Sequence, residues 1–271
     1  MKRLFPSLTL LLFLAACSCN GGKPKDGDGG EKKPDGPRSL SYSIISTFPH
    51  DSSSYTQGLI IYKGSMYEGT GNYGESKLRK INMATGKAEK EVALPKEFFG
   101  EGVTILNDTI YQLTWKNNKV LVYTLNDLKK VKEFTVDQEG WGLTNDGKSL
   151  IATDGSSHLY FYDPSTYKLT RSVDVTEAGS LSYNLNELEY IDGYIYANQY
   201  ESPYILKIDP SNGAVVAKID LSKDWDRIQR MRPAINPSDI VPNGIAYDAA
   251  TKKIYITGKW WPELYEVQFS Q

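Results

Sequence analysis

After residue 19 the chain contains no cysteine; Cys17 and Cys19 are the only two in 271 residues. Whatever folds beyond them is held by its core alone, without a disulfide framework or a thiolate metal site. Histidine is almost as scarce, and His50 and His158 do not supply the usual His/Cys zinc set. An excess of one charge is missing too, with 31 Lys+Arg against 33 Asp+Glu and a net charge of −2. With no basic block interleaved with aromatics, the chain has no electrostatic footprint for nucleic acid. No apolar run reaches the roughly 20 residues of a membrane-spanning helix. At 40% apolar residues and mean hydropathy −0.44, a multispanning membrane protein and wholesale disorder are both excluded. Neither a Gly-x-Ser-x-Gly nucleophile elbow nor a Walker A loop occurs.

Tyrosine and glycine are abundant, 19 and 23 against four methionines, which points to an all-β chain of short strands and tight turns. The first forty residues stand apart. Lys2 and Arg3 precede an apolar run over residues 8–16, so residues 1–16 read as a signal peptide. Leu14-Ala15-Ala16-Cys17 resembles the bacterial lipobox, which implies cleavage before Cys17 and lipidation of its thiol. The alternative is a soluble secreted protein with a Cys17–Cys19 or intermolecular disulfide, but cysteines one residue apart close too small a loop for ordinary disulfide geometry. Residues 17–40, rich in Gly, Pro, Lys and Asp, read as the lipidated end and a flexible tether. The expected location is the bacterial cell envelope, lipid-anchored, on the periplasmic or surface face. Residues 41–271 form the folded part, with a net charge of −5 because 7 of the Lys+Arg and 4 of the acids lie upstream. Monomer is the default state.

Laid against itself, the folded part shows five copies of one unit. Each has a slot residue before a Gly (once a Glu) and an aliphatic, and a second slot 14 residues on, or 16 in the last copy. First slots are Gln57, Glu101, Trp141, Asn186 and Asn243; second slots are Gly71, Trp115, Gly155, Tyr200 and Lys259. Between them lie Lys63-Gly64, Asn107-Asp108, Asp146-Gly147, Asp192-Gly193 and the run 248–252, flanked by alternating apolar residues, which predicts antiparallel hairpins. A third alternating strand follows each, and turns such as Asp163-Pro164 and Asp209-Pro210 lead into a fourth. Four-stranded sheets repeating every 40 to 57 residues are blades of a β-propeller, and five fill the chain. A β-sandwich, the runner-up, does not require the same slots at constant spacing. Closure of the ring predicts that the strand near residues 42–48 pairs with the last blade.

Antiparallel arms return the chain to its starting level, so the ten slots should converge at one mouth of the central channel. That rim mixes one carboxylate, one ammonium, three amides and three large aromatics, the make-up of a small-molecule or chain-terminus site. Each has a plainer reading: tryptophan as core, glycine as backbone geometry, Glu101 as an ion pair with Lys259. Yet Glu101 follows Phe98-Phe99-Gly100, and a carboxyl against aromatic walls has its charged form disfavoured, so that it exchanges protons nearer neutrality. Asp154, Glu187, Glu189 and Asp239 are candidate Ca²⁺ ligands, but scattered acids serve equally as solvated or capping groups. No metal or cofactor is assigned.

Seven ordered motifs resemble the plant and bacterial glutaminyl-peptide cyclotransferases. They are Phe48-Pro49-His50-Asp51, Tyr55-Thr56-Gln57-Gly58-Leu59, Phe99-Gly100-Glu101-Gly102, Gly140-Trp141-Gly142-Leu143, Asn186-Glu187-Leu188-Glu189-Tyr190, Asn243-Gly244-Ile245-Ala246 and Thr257-Gly258-Lys259. The likeness runs from about His50 to the C-terminus. It implies a five-bladed propeller enzyme that converts an N-terminal glutaminyl residue to pyroglutamyl and releases ammonia, without zinc or another cofactor. The family's acid/base falls on Glu101, and its pocket on Gln57, Phe99, Trp115, Trp141, Asn186, Tyr200 and Lys259. On this reading Glu101 shuttles the proton, Lys259 or Asn186 faces the developing oxyanion, Gln57 meets the substrate's N-terminal region, and the aromatics cage the folded side chain. Tyr55 stands where the family usually has Phe, and Tyr200 where it has Trp. Activity is expected to persist with a shifted preference for the residue after Gln. The competing reading is a non-catalytic propeller lipoprotein that binds peptides or glycans through the same ring.

Overall fold

Alternating apolar residues and left-handed two-residue turns build the repeated hairpins. Lys63-Gly64 and Asp192-Gly193 both have positive φ, at 50° and 74° and at 46° and 92°, as the type I′ turns between twisted strands require. In the computed structural model, which describes residues 36–270, these hairpins are the inner strand pairs of five antiparallel sheets arranged as a five-bladed β-propeller. Blade 1 comprises Thr56–Tyr62, Ser65–Thr70, Lys77–Asn82 and Lys87–Ala93. Blade 2 runs from Gly100–Leu106 to Lys130–Thr135, and blade 3 from Leu143–Asn145 to Leu169–Asp174. Blade 4 runs from Leu185–Ile191 to Val215–Asp220.

Blade 5 is composite. Pro242–Asp248, Lys253–Gly258 and Glu263–Phe269 are completed by Tyr42–Pro49, paired antiparallel from Tyr42↔Phe269 to Pro49↔Glu263. The ring is thus closed between the two ends of the folded chain, as the repeat requires. His50 locks the seam, with Nδ1 2.7 Å from the Trp261 carbonyl and Nε2 3.0 Å from Glu68 of blade 1.

Two elements depart from the sequence reading. Arg38–Leu40, expected in the tether, pairs parallel with Ala217–Ile219 at the outer edge of blade 4. A helix, Ser222–Met231, lies between blades 4 and 5 and buries Ile228 beside Leu221, Ile240 and Ile245. This insertion accounts for the long spacing before the last copy. The expected signal peptide, residues 1–16, and the expected lipidation site at Cys17 lie outside the described residues.

Each sheet is apolar on both faces, and stacking buries both. The buried side chains fall into five clusters, one per seam: Ile60 with Val103, Leu113 with Leu143, Phe161 with Leu188, Ile219 with Tyr265, and Leu59 with Ala246. At roughly 25 cal/mol per Å² of apolar surface removed from water, these seams supply the driving term. Around the axis the inner strands nearly touch. A Cβ on Gly102 would lie 2.4 Å from the Leu143 nitrogen, and one on Gly142 2.1 Å from the Asn186 oxygen, so the residue after the slot must be small. In blade 4 that position is Glu187, whose carboxyl reaches across the axis to accept the N–H of Leu59 (3.2 Å) and of Ile245 (2.8 Å). Its departure from glycine thus satisfies backbone donors of blades 1 and 5.

Candidate active site

The first slots sit where each inner strand slips register with its partner. The ladder skips between Thr56 and Gly58, Gly100 and Val103, Leu185 and Leu188, and Pro242 and Ile245. A bulge leaves residues unpaired and turns their side chains out of the pleat, here into the channel mouth. In blade 3 the regular strand begins only at Leu143, and Trp141 is tied to the hairpin through its N–H to the Thr153 carbonyl at 3.0 Å.

Together they enclose a cavity of about 180 Å³ lined by Tyr55, Gln57, Phe99, Glu101, Trp115, Trp141, Asn186, Tyr200 and Lys259. Its aromatic walls meet edge to face: Phe99 against Trp115 at 5.6 Å between ring centres, and Trp141 against Tyr200 at 5.7 Å. The glycine slots make room for these rings. Gly155 has φ +80°, and a Cβ there would lie 2.6 Å from the Trp141 ring; one on Gly71 would lie 2.4 Å from Phe99.

Glu101 is 4% exposed. Burial pushes its carboxyl well above the usual carboxylate range; Lys259 opposes this and Glu139 adds to it. Its hydrogen bond within the protein comes from Gln57, whose Nε2 donates at 3.1 Å. Gln57 is engaged at its other end too, its Oε1 accepting from Asn243 Nδ2 at 3.2 Å. Gln57, expected to meet the substrate, lines the cavity, and in the free site its amide also holds Glu101. Lys259 is lowered to about 8 by burial, opposed by Glu101 and Asp239. Its ammonium makes no close pair with Glu101 but lies 4.6 Å from the Tyr55 ring centre and 4.7 Å from that of Tyr200. Asn186 Oδ1 and Trp141 Nε1 are buried without a partner. A buried polar group left unpaired costs about 1–3 kcal/mol, and both of these belong to side chains that line the cavity.

The structure therefore brings together all eight pocket residues named from sequence. It adds Tyr55, quoted only as a departure in a motif, and Glu139, whose carboxylate accepts the Trp115 indole N–H at 2.7 Å. Both lie on loops outside the repeat; a Glu two residues before the Trp141 slot was the one available signal for the second. Three of the four acids weighed as Ca²⁺ ligands are turned toward donors instead, and the fourth, Asp239, lies exposed in the short 3-10 turn Pro237–Asp239. Glu187 and Glu189 accept backbone N–H groups, and Asp154 accepts the hydroxyls of Ser156 and Tyr160. Among the described residues no three His, Cys, Asp or Glu side chains gather as a metal set. A larger groove of about 840 Å³ runs beside blades 4 and 5; its Lys252 and Lys253 pair with Asp192 and Glu266 at 3.2 and 3.0 Å, and its Lys207 lies 4.2 Å from the Tyr194 ring centre.

Comparison with known proteins agrees with this geometry. A family model described as glutamine cyclotransferase matches residues 10–269. A curated glutaminyl-peptide cyclotransferase of Arabidopsis thaliana is 39% identical over 231 residues, covering 84% of this chain and 71% of that protein. The crystal structure of a Myxococcus xanthus glutaminyl cyclase superposes with a TM-score of 0.79 at 31% identity, covering 86% of this chain and 98% of the other.

Proposed function

The chain belongs to the glutamine cyclotransferase family, and on that footing we propose how it works: it is a glutaminyl-peptide cyclotransferase in which Glu101 shuttles the proton. It closes the N-terminal glutaminyl residue of a peptide or protein into pyroglutamyl and releases ammonia. The α-amine attacks the side-chain amide carbon, forming the ring N–C bond. Glu101 takes a proton from the attacking nitrogen and returns it to the amide nitrogen, the C–N bond breaks, and ammonia leaves. Because both reacting groups belong to one residue, the remaining task is folding that side chain back. A volume of about 180 Å³, below the ~300–1,000 Å³ of drug-sized sites, suits one compact residue rather than a peptide. The free Asn186 Oδ1 accepts from the amine, directing its lone pair at the carbon. Lys259 and the free Trp141 N–H face the oxygen on which charge develops, where one donor is typically worth about 2.7–4 kcal/mol.

The carrying observation is a single buried carboxyl, without an ion-pair contact, in an aromatic cavity the size of one residue. Glu101→Gln should abolish ammonia release from a Gln-initiated peptide while leaving peptide binding largely intact. Turnover at the wild-type rate in that variant removes Glu101 from the mechanism. The lipobox at Leu14-Ala15-Ala16-Cys17 supports a signal peptide and a lipid-anchored form in the cell envelope, which Cys17→Ser should convert to a soluble one. The engaged His50 and the scarcity of further His and Cys support a zinc-independent enzyme, whose turnover a chelator leaves unchanged.

A further inference from the structure

Asn243 occupies a first slot, yet it stands behind the cavity rather than on its wall, and it is fully buried. Its Nδ2 donates to the main-chain carbonyl of Thr56 at 2.9 Å and to Gln57 Oε1 at 3.2 Å. A carbonyl oxygen only accepts, so Thr56 fixes which end of the Asn243 amide is nitrogen. That nitrogen in turn requires the oxygen of the Gln57 amide to face it. The Gln57 nitrogen is left pointing the other way, 3.1 Å from Glu101 Oε1. Two side-chain amides thus carry an orientation from a backbone carbonyl of blade 1, through blade 5, to the carboxyl in blade 2. The bulge at Pro242–Ile245 aims Asn243 at this point, and Gly244 N–H is pinned by Asn198 Oδ1 at 3.0 Å.

We infer that Asn243 is a positioning residue for the reaction, acting through Gln57 to aim an N–H rather than a carbonyl oxygen at Glu101. The inference rests on the assignment of Glu101 as the proton shuttle. An N–H donor stabilises the carboxylate, whereas a carbonyl in the same place stabilises the protonated acid. Burial already favours the protonated form. The amide relay therefore opposes burial and keeps the carboxylate accessible, so that it can accept the amine proton and give it back. Gln57 also occupies Oε1, which leaves Oε2 for the substrate.

Asn243→Asp keeps the shape but carries at most one O–H, which the Thr56 carbonyl claims, so Gln57 loses its donor and its amide should turn over and present its oxygen to Glu101. The expected result is a rising limb of the kcat/KM profile moved upward by about one pH unit, with roughly tenfold lower kcat/KM on the acid side and a smaller change at the optimum. The new carboxyl could act on Glu101 through space instead. In a Gln57→Leu background that direct effect would persist, whereas an effect relayed by Gln57 disappears. A limb that stays put in Asn243→Asp, or that moves equally in the Gln57→Leu background, overturns the inference. If Asn243→Asp does not fold, Gln57→Leu alone must raise the limb, and an unmoved limb has the same consequence. A Glu101→Gln variant measured alongside separates the two failures: its inactivity with an unmoved Asn243→Asp limb rejects only the role of Asn243.

Discussion

Glu101 and Lys259 face the same cavity, and burial moves their proton affinities toward one another, the carboxyl well above its ordinary range and the ammonium down to about 8. Neither relieves the other by contact, since the ammonium lies between the rings of Tyr55 and Tyr200. An acid and a base poised this way titrate as a pair, with each group's charge favouring the charged form of the other.

A bell-shaped profile follows. Below the raised affinity of Glu101 the carboxyl is protonated and takes no proton from the amine, so the rate climbs as pH rises through that value. Above about pH 8 Lys259 loses its charge and the oxyanion loses a donor, so the rate falls. Lys259→Arg stays charged throughout and should move the falling limb to higher pH. Ammonia release from a Gln-peptide, followed across pH for both proteins, checks this; a falling limb unchanged in the variant assigns it to another group.

Glu139 acts on Glu101 at a distance while holding the Trp115 indole at 2.7 Å. Glu139→Gln keeps an acceptor for the indole and removes the negative field. The rising limb should therefore shift down by a few tenths of a pH unit, and less at 0.5 M salt, because the carboxylate is exposed and screened. A displacement of the limb that salt leaves untouched would point to movement of Trp115 instead.

Gly155 combines a left-handed backbone with a ring 2.6 Å from where its Cβ would be. Gly155→Ala should cost about 1–3 kcal/mol of stability and push Trp141 into the cavity, raising KM. Thermal unfolding with steady-state kinetics measures both. An alanine variant with unchanged melting temperature and KM would mean that the wall is soft.

How much of this could be read beforehand follows from what the repeat encodes. The slots of Gln57, Glu101, Trp141 and Asn186 open hairpins of one 14-residue span, and that of Lys259 closes one of 16, so the hairpins that carry them, and their common mouth, were legible. The bulges that turn the first slots inward left no trace in the spacing, because a skipped pair changes register without changing loop length. Tyr55 and Glu139 belong to irregular entry loops, which obey no period. The helix Ser222–Met231 shows a single buried residue, Ile228, in a polar run, too thin an apolar face to declare itself. Asn243 looked like any other slot, since its partners Thr56 and Gln57 meet it only when the ring closes 187 and 186 residues later.

Glu189 supplies a test of the fold rather than of the chemistry. Its carboxyl, buried between blades 3 and 5, accepts from Thr144 Oγ1 at 2.9 Å and from the Tyr247 N–H at 3.2 Å, yet burial still raises it to about 8. The folded protein therefore holds this proton well after the unfolded chain, at its ordinary value near 4.5, has released it. Below that value both states are protonated and Glu189 brings no penalty. Between it and about 8 folding must take up a proton, and stability declines by ~1.4 kcal/mol per pH unit at most from this group; above 8 the decline levels off. Glu189→Gln keeps the shape and an oxygen for Tyr247, and the Thr144 hydroxyl can turn to accept from the new amide. The variant should match the wild type near pH 4.5 and exceed it in denaturant midpoint at pH 8, with a shallower slope between. Equal slopes in the two proteins would show that Glu189 is ionised in the fold and that its two hydrogen bonds outweigh its burial.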